Sequence, residues 1–200
     1  MSDLRNCVVF DVETSGLPPK GAKYDKDYNQ FPYVVQFAWF VNGEYKNYII
    51  KPNGWEIPQE ATDIHGISTE MAKEKGVPFH IVVDEFIHDC FFAEKIIAHN
   101  IYFDSSVIKA NVMRMRMPNF YADYVEPALD KTKRIDTMFK TIKFVDAKHK
   151  DGRGGKWPKL EELYFKLFED TFKAHDANED VKALVMCVEK LVELQIIEIC

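Results

Sequence analysis

The alternation of apolar and polar positions divides the chain into a strand-rich first quarter and a mixed remainder. Residues 7–12 are a short β-branched apolar run followed by Ser15, Gly16 and two prolines, which predicts a strand ending in a turn. Residues 32–41 and 44–50 predict two more strands, joined by Asn42-Gly43, a pair that favours a two-residue hairpin. The period then changes. Residues 82–92 read as a helix, 95–99 as a short buried strand, and 103–115 as a helix with Val107, Ile108 and Met115 at helical spacing. Residues 134–139 predict a last strand, and 145–158, rich in Lys, Gly and Asp, an exposed loop. Two helices close the chain, the second carrying Val181, Leu184, Val185, Val188, Leu191 and Val192 on one apolar stripe. Three strands followed by alternating helices and strands predict an α/β fold, a mixed sheet with helices packed on it.

Length bounds this picture: 200 residues, 46% of them hydrophobic, suit one well-buried core and are read as a single domain over 1–200. No apolar run reaches the roughly 18 residues that span a bilayer, and the N-terminus lacks the order of a secretory signal. Cys7, Cys90, Cys187 and Cys200 stand far apart with no Cys-x-x-Cys pair, so reduced thiols and a cytoplasmic or nuclear protein, neither secreted nor in a membrane, are expected. The net charge of −6 speaks against holding nucleic acid by bulk attraction. It hides an asymmetry. Residues 131–160 contain ten Lys or Arg and three Asp, a local +7, which leaves −13 for the rest. That segment either faces a polyanion or is ordinary solvated surface.

Three acidic blocks carry the candidate chemistry. Asp11-Val12-Glu13-Thr14 lies at the end of the first predicted strand, where residues two apart share a face and set two carboxylates side by side. Such a pair repels unless a cation sits between, and hard divalent ions take oxygen ligands; a solvated strand end is the ordinary alternative. In His99-Asn100-Ile101-Tyr102-Phe103-Asp104, Asp104 shares a helical face with Val107 and Ile108, or else serves the helix's first turn. In His175-Asp176-Ala177-Asn178-Glu179-Asp180, Asp176 and Glu179 have the spacing of a variant capping box, starting a helix at Ala177. Asp180 then points inward with Ala177, Val181 and Leu184, and His175 stands before the cap. Each block alone has a structural explanation. Three elements delivering acids to their ends is harder to explain by packing.

Together the motifs resemble those of the DEDDh exonucleases, the superfamily that includes bacterial proofreading subunits, from Cys7 to about Leu191. Ile64-His65-Gly66-Ile67, Arg134-Ile135-Asp136-Thr137 and Lys159-Leu160-x-x-Leu163 are similar to further family segments. The sister class with Tyr in the third block fits less well, because Asp176 stands four before Asp180. The resemblance implies an RNase H-like fold: a five-stranded mixed sheet, its first three strands antiparallel, flanked by helices on both faces. It implies 3′→5′ removal of nucleoside monophosphates from single-stranded ends, DNA favoured over RNA. By that pattern Asp11, Glu13, Asp104 and Asp180 hold two Mg²⁺ or Mn²⁺ ions. By the same pattern His175 is the general base toward the attacking water. Thr14, Leu17, His65, Asn100 and Phe103 are the implied substrate contacts, and Lys148 to Lys156 is a basic stretch able to track phosphates. Two departures are visible: residues 18–30 are long for a first turn, and Gln36 stands where many relatives carry Glu. The partner expected is a single-stranded 3′ end, with a homodimer, a replication-complex subunit or a solitary enzyme all open, and no polymerase appended beyond Cys200. The alternatives are an RNA-directed exonuclease and a non-catalytic binding module on the same fold.

Overall fold

The computed structural model describes residues 4–199. Its strands are β1 (Cys7–Thr14), β2 (Val34–Val41), β3 (Glu44–Ile49), β4 (Lys95–Ala98) and β5 (Arg134–Asp136). They form one sheet in the order β3-β2-β1-β4-β5. The first three pair antiparallel, and β4 and β5 join in parallel. This is the mixed sheet expected of an RNase H-like fold. The hairpin prediction holds: Asn42 and Gly43 both take positive φ, 51° and 86°, as a turn matching the strand twist requires.

The helices are α1 (Gln59–His65), α2 (Thr69–Lys75), α3 (Phe79–Phe92), α4 (Ile101–Arg114), α5 (Thr137–Val145), α6 (Leu160–Phe168) and α7 (Ala177–Glu193). They cover both faces because β1 alternates two apolar sets. Val8, Phe10 and Val12 join Phe37 and Trp39 of β2 beneath α3 and α4, through Val82, Phe86, Val107 and Ile108. Val9 joins Ala38, Ile97 and Ile135 beneath α6 and α7, through Leu163, Val181, Leu184, Val188 and Leu191. Fully burying such a side chain contributes roughly 1.5–3 kcal/mol, so the central strand is fixed from both sides. Among the described residues no helix is long and apolar enough to cross a membrane. Cys90 and Cys187 are buried, and burial pushes the Cys187 thiol up to about 12; Cys200 lies outside the described residues.

Several expected boundaries move, each for a local reason. β1 runs on to Thr14, since Glu13 still pairs with Gln36 and Thr14, after a register shift, with Val34. Glu13 therefore lies within the strand with Asp11, rather than just past its predicted end at Val12. Residues 134–139 are not one strand. Asp136 accepts from the backbone amides of Met138 and Phe139, so the chain turns into α5 at Thr137. α3 begins at Phe79, directly after Pro78, and α4 at Ile101, after Asn100 takes a left-handed φ of 78°. Within residues 18–30 the chain forms short helical turns at Tyr24–Asp27 and Tyr28–Gln30, with Tyr24 and Tyr28 against the α3–α4 core.

Candidate active site: a carboxylate cluster where β4 stops

Register creates the site. β1 pairs with β4 only from Cys7–Lys95 to Val9–Ile97, and β4 ends one residue later. Beyond that point β1 keeps β2 on one side, while on the other the chain turns through Asn100 into the first turn of α4. Asp11 and Glu13 follow Val9 on the face that α7 covers. Asp180, in the first turn of α7, comes down on them from above, with Ala177 buried beside it. One carboxylate oxygen from each of Asp11, Glu13 and Asp180 lies within 4.8 Å of the others. Asp104, buried at the start of α4, stands outside that close set but couples by charge to Asp11 and Glu13.

Electrostatics mark this group as costly. Burial first, then the charges of Asp104, Asp180 and Glu13, hold the Asp11 carboxyl well above the usual range. Burial and Asp176 raise Glu13 from 4.5 to about 7. Burial and Glu13 raise Asp180 from 3.8 to about 7, against the His175 backbone amide, which donates to its Oδ2 at 3.0 Å. Asp104 is also raised well above its ordinary value, chiefly by burial, although its own amide and that of Val12 favour the charged form. Among the described residues none of the four carboxylates has a Lys, Arg or His ion-pair partner. Buried like charges without a counter-cation are relieved either by protons or by a metal ion. An all-oxygen donor set suits a hard divalent cation. The residues therefore fit divalent metal binding.

The surrounding residues hold this geometry. His175 takes a left-handed φ of 66°, a conformation that costs a residue with a Cβ roughly 1–2 kcal/mol. It aims the amide at Asp180 and leaves the imidazole exposed at the rim. Asp176 caps α7 by accepting from the Asn178 amide, as expected, but the reciprocal half of the capping box is absent. Glu179 instead accepts from the side chains of Asn178 and Lys182.

Gln36 supplies part of the cap that sequence reasoning missed. Its Nε2 donates to Asp176 Oδ1 at 3.1 Å and to Asn47 Oδ1 at 3.0 Å, and its Oε1 accepts from the Ala177 amide at 3.1 Å. Asp136 was likewise missed as a brace: besides capping α5, it accepts from the Asn100 amide at 3.1 Å. His99 ties three segments. Its Nε2 meets the Pro158 carbonyl at 2.9 Å and its Nδ1 the Thr137 hydroxyl at 3.0 Å, so the proton belongs on Nε2.

The expected substrate contacts fall in differing surroundings. His65 is buried at the end of α1, accepts from the Ile67 amide on Nδ1, and its Nε2 has no hydrogen-bond partner among the described residues. Burial and the neighbouring His175 lower its proton affinity, against the Thr14 backbone. Thr14 spends its hydroxyl on the Gly16 carbonyl at 2.7 Å. Leu17 is 82% exposed, an apolar side chain left in solvent by the turn after β1. Asn100 contributes its backbone amide to Asp136, and Phe103 is half-buried against the α3–α4 core. Thr14 and His65 thus stand together at the end of β1, whereas Asn100 and Phe103 lie on the α4 side.

A five-stranded RNase H-like sheet with clustered carboxylates at the end of its central strand is the arrangement of the DnaQ-like, DEDD-type exonucleases that the sequence motifs resemble. The chain belongs to the RNase T exonuclease family, whose sequence signature matches residues 8–187. Among named relatives, the DNA polymerase III subunit epsilon of Rickettsia felis is 28% identical over 145 residues, 72% of this chain and 60% of that protein. That of Rickettsia conorii is 34% identical over 105 residues, 52% of this chain and 42% of that protein. The chain thus spans about half the length of these relatives. Escherichia coli exonuclease I in complex with a dA16 oligonucleotide superposes with a TM-score of 0.66 over 94% of this chain and 40% of its own, at 22% identity. Exonuclease I of Methylocaldum szegediense gives the same score and coverage at 21% identity. At these identities the likeness concerns the fold.

Proposed function

We propose that residues 1–200 act as one 3′→5′ exonuclease domain. It hydrolyses phosphodiester bonds from the 3′ end of single-stranded nucleic acid, DNA in preference to RNA, and releases nucleoside monophosphates. The observation that carries this reading is the carboxylate cluster, whose like charges are buried together without a cation of the chain's own. Asp11, Glu13, Asp104 and Asp180 would hold two divalent ions, Mg²⁺ or Mn²⁺. When bound, such ions neutralise the charge that develops on the phosphate and on the leaving oxygen.

The chain's own residues do the rest. His175 would take a proton from the attacking water, a role supported by its exposed imidazole and by its amide's bond to Asp180. Thr14 and His65 line the end of β1, where the terminal sugar would sit, and the open Nε2 of His65 offers a hydrogen bond there. Leu17, Asn100 and Phe103 complete the proposed contacts, with Phe103 offering a ring to the terminal base. Preference for DNA is supported by the DNA polymerase subunits among the relatives and by the oligodeoxynucleotide bound to the structural neighbour.

The test is digestion of 3′-labelled and 5′-labelled dT and U oligonucleotides with Mg²⁺ or Mn²⁺, beside Asp11→Ala and His175→Ala. Stepwise loss from the 3′ end is expected, absent in Asp11→Ala. In His175→Ala a kcat lowered about 10²- to 10⁴-fold with metal-dependent DNA binding retained is expected. Loss of binding equal to the loss of turnover would remove His175 from the role of base. A folded, metal-binding protein that degrades neither polymer would overturn the nuclease reading.

A further inference from the structure

The basic segment and two aromatic side chains meet near His99, just after β4. Phe139, in the first turn of α5, and Trp157, three residues before α6, pack ring against ring at 5.3 Å with a 50° tilt, yet stay 53% and 57% exposed. Both are tied to the site through His99. Thr137, two residues before Phe139, meets its Nδ1, and the Pro158 carbonyl, next to Trp157, meets its Nε2. Glu161, four residues beyond Trp157, is close enough to raise the proton affinity of Asp180. The aromatic pair is therefore linked to His99 just after β4, by the Thr137 hydroxyl on one side and the Pro158 carbonyl on the other.

The charge around the pair is unbalanced. Lys148, Arg153 and Lys156 are paired with Asp146, Asp151 and Glu162. Lys140, Lys143 and Lys150 are exposed and make no ion pair among the described residues. Lys143 follows Phe139 by four residues on α5, so the two share a helix face. An exposed ring with an unpaired ammonium one turn away suits a stacked base and its phosphate. Sequence-tolerant single-strand binding uses that combination, since every base has a π-face and every linkage a negative charge.

We propose that Phe139 and Trp157 form a stacking platform for the single strand entering the site, with Lys140, Lys143 and Lys150 holding its phosphates. The ligand is a single-stranded polynucleotide, bound several nucleotides upstream of the terminus. The upstream placement rests on the proposed 3′→5′ activity; the binding itself does not.

Affinity is measured by fluorescence anisotropy with labelled dT12 and U12 in EDTA, where no hydrolysis occurs, for the full chain and for Phe139→Ala, Trp157→Ala and Trp157→Phe. Each alanine variant is expected to raise the dT12 Kd roughly tenfold, within the ~5- to 150-fold that one lost base stack gives. Trp157→Phe keeps an aromatic face and should stay within about threefold of the parent. The rings are exposed, and unchanged melting temperatures confirm that the variants fold. Alanine variants that bind dT12 and U12 as tightly as the parent would overturn the proposal and leave the pair as a contact for another protein or mere surface packing. A parallel digestion with Mg²⁺ separates the two readings. Platform-dependent binding without any hydrolysis would remove the nuclease assignment and keep the platform, and hydrolysis with ring-independent binding would do the reverse.

Discussion

Asp180→Asn should make the metal-free protein more stable while weakening its response to Mg²⁺. The carboxyl of Asp180 is raised from 3.8 to about 7 by burial and by Glu13. Each tenfold change in proton affinity corresponds to ~1.4 kcal/mol, so the charged form costs the folded state at most ~4 kcal/mol. An amide of the same shape keeps an acceptor for the His175 N–H but still has to be desolvated, so a net gain of about 2 kcal/mol is expected. The sign follows from linkage. A carboxyl whose folded-state value lies above its unfolded one binds more protons when folded, so its contribution to stability is lost as pH rises from about 4 to about 7. The wild-type protein in EDTA should therefore fall behind the variant across that window and stay behind above it. For a chain of this size 2 kcal/mol is ~4–8 °C in Tm. Circular-dichroism melts from pH 4 to 8 measure it. At pH 8, Mg²⁺ at 100 times its Kd should stabilise the wild type by ~2.7 kcal/mol, shrinking toward pH 5 as protons compete, and the variant by much less. A variant that melts below the wild type at pH 8, or a gap that does not depend on pH, would refute the account of a cluster that is strained without its cation.

Two residues that position the site give further expectations. Gln36→Glu removes both amide donors and sets a second carboxylate against Asp176, formerly 3.1 Å from the amide nitrogen; it should lower stability by about 1–3 kcal/mol, more at pH 8 than at pH 5, as thermal melts at the two pH values will show. Asp136→Ala strips the acceptor from the amides of Asn100, Met138 and Phe139; losing the cap should cost about 1 kcal/mol, and freeing Asn100 at the head of α4 should lower nuclease kcat at saturating Mg²⁺, an effect that Asp136→Asn should largely rescue.

How much of this was legible in the sequence depends on the range over which each signal acts. Asn42-Gly43, the β-branched apolar run of β1 and the stripe of α7 report on contacts within a few residues, and each formed as read. That Asp11, Glu13 and Asp180 face one another was legible for the same reason: spacing within a strand or a helical turn fixes which face a side chain takes. The errors lie where a local pattern meets a partner remote in sequence. Residues 134–139 are apolar enough for a strand, but Asp136 at the edge of the sheet captures the amides of Met138 and Phe139, and the helix wins. Glu179 has the spacing of a capping box, yet Gln36, 141 positions before Ala177, occupies the amide end of α7 instead.

The most consequential feature could not be read locally at all. The length of β4 decides the site. Because it stops one residue past the Val9–Ile97 pair, β1 runs on without a neighbour on that side, and Asp104 can approach from α4 while Asp180 approaches from α7. Had β4 continued by three residues, its backbone would occupy the flank of Asp11 and Glu13 now taken by the start of α4. A short strand in the middle of a sheet is ordinarily a weakness, since it leaves backbone groups of its neighbour unpaired. Here the vacancy gathers Asp11, Glu13 and Asp180, with Asp104 coupled to them by charge, and the apolar packing on both faces of β1 holds these like charges together.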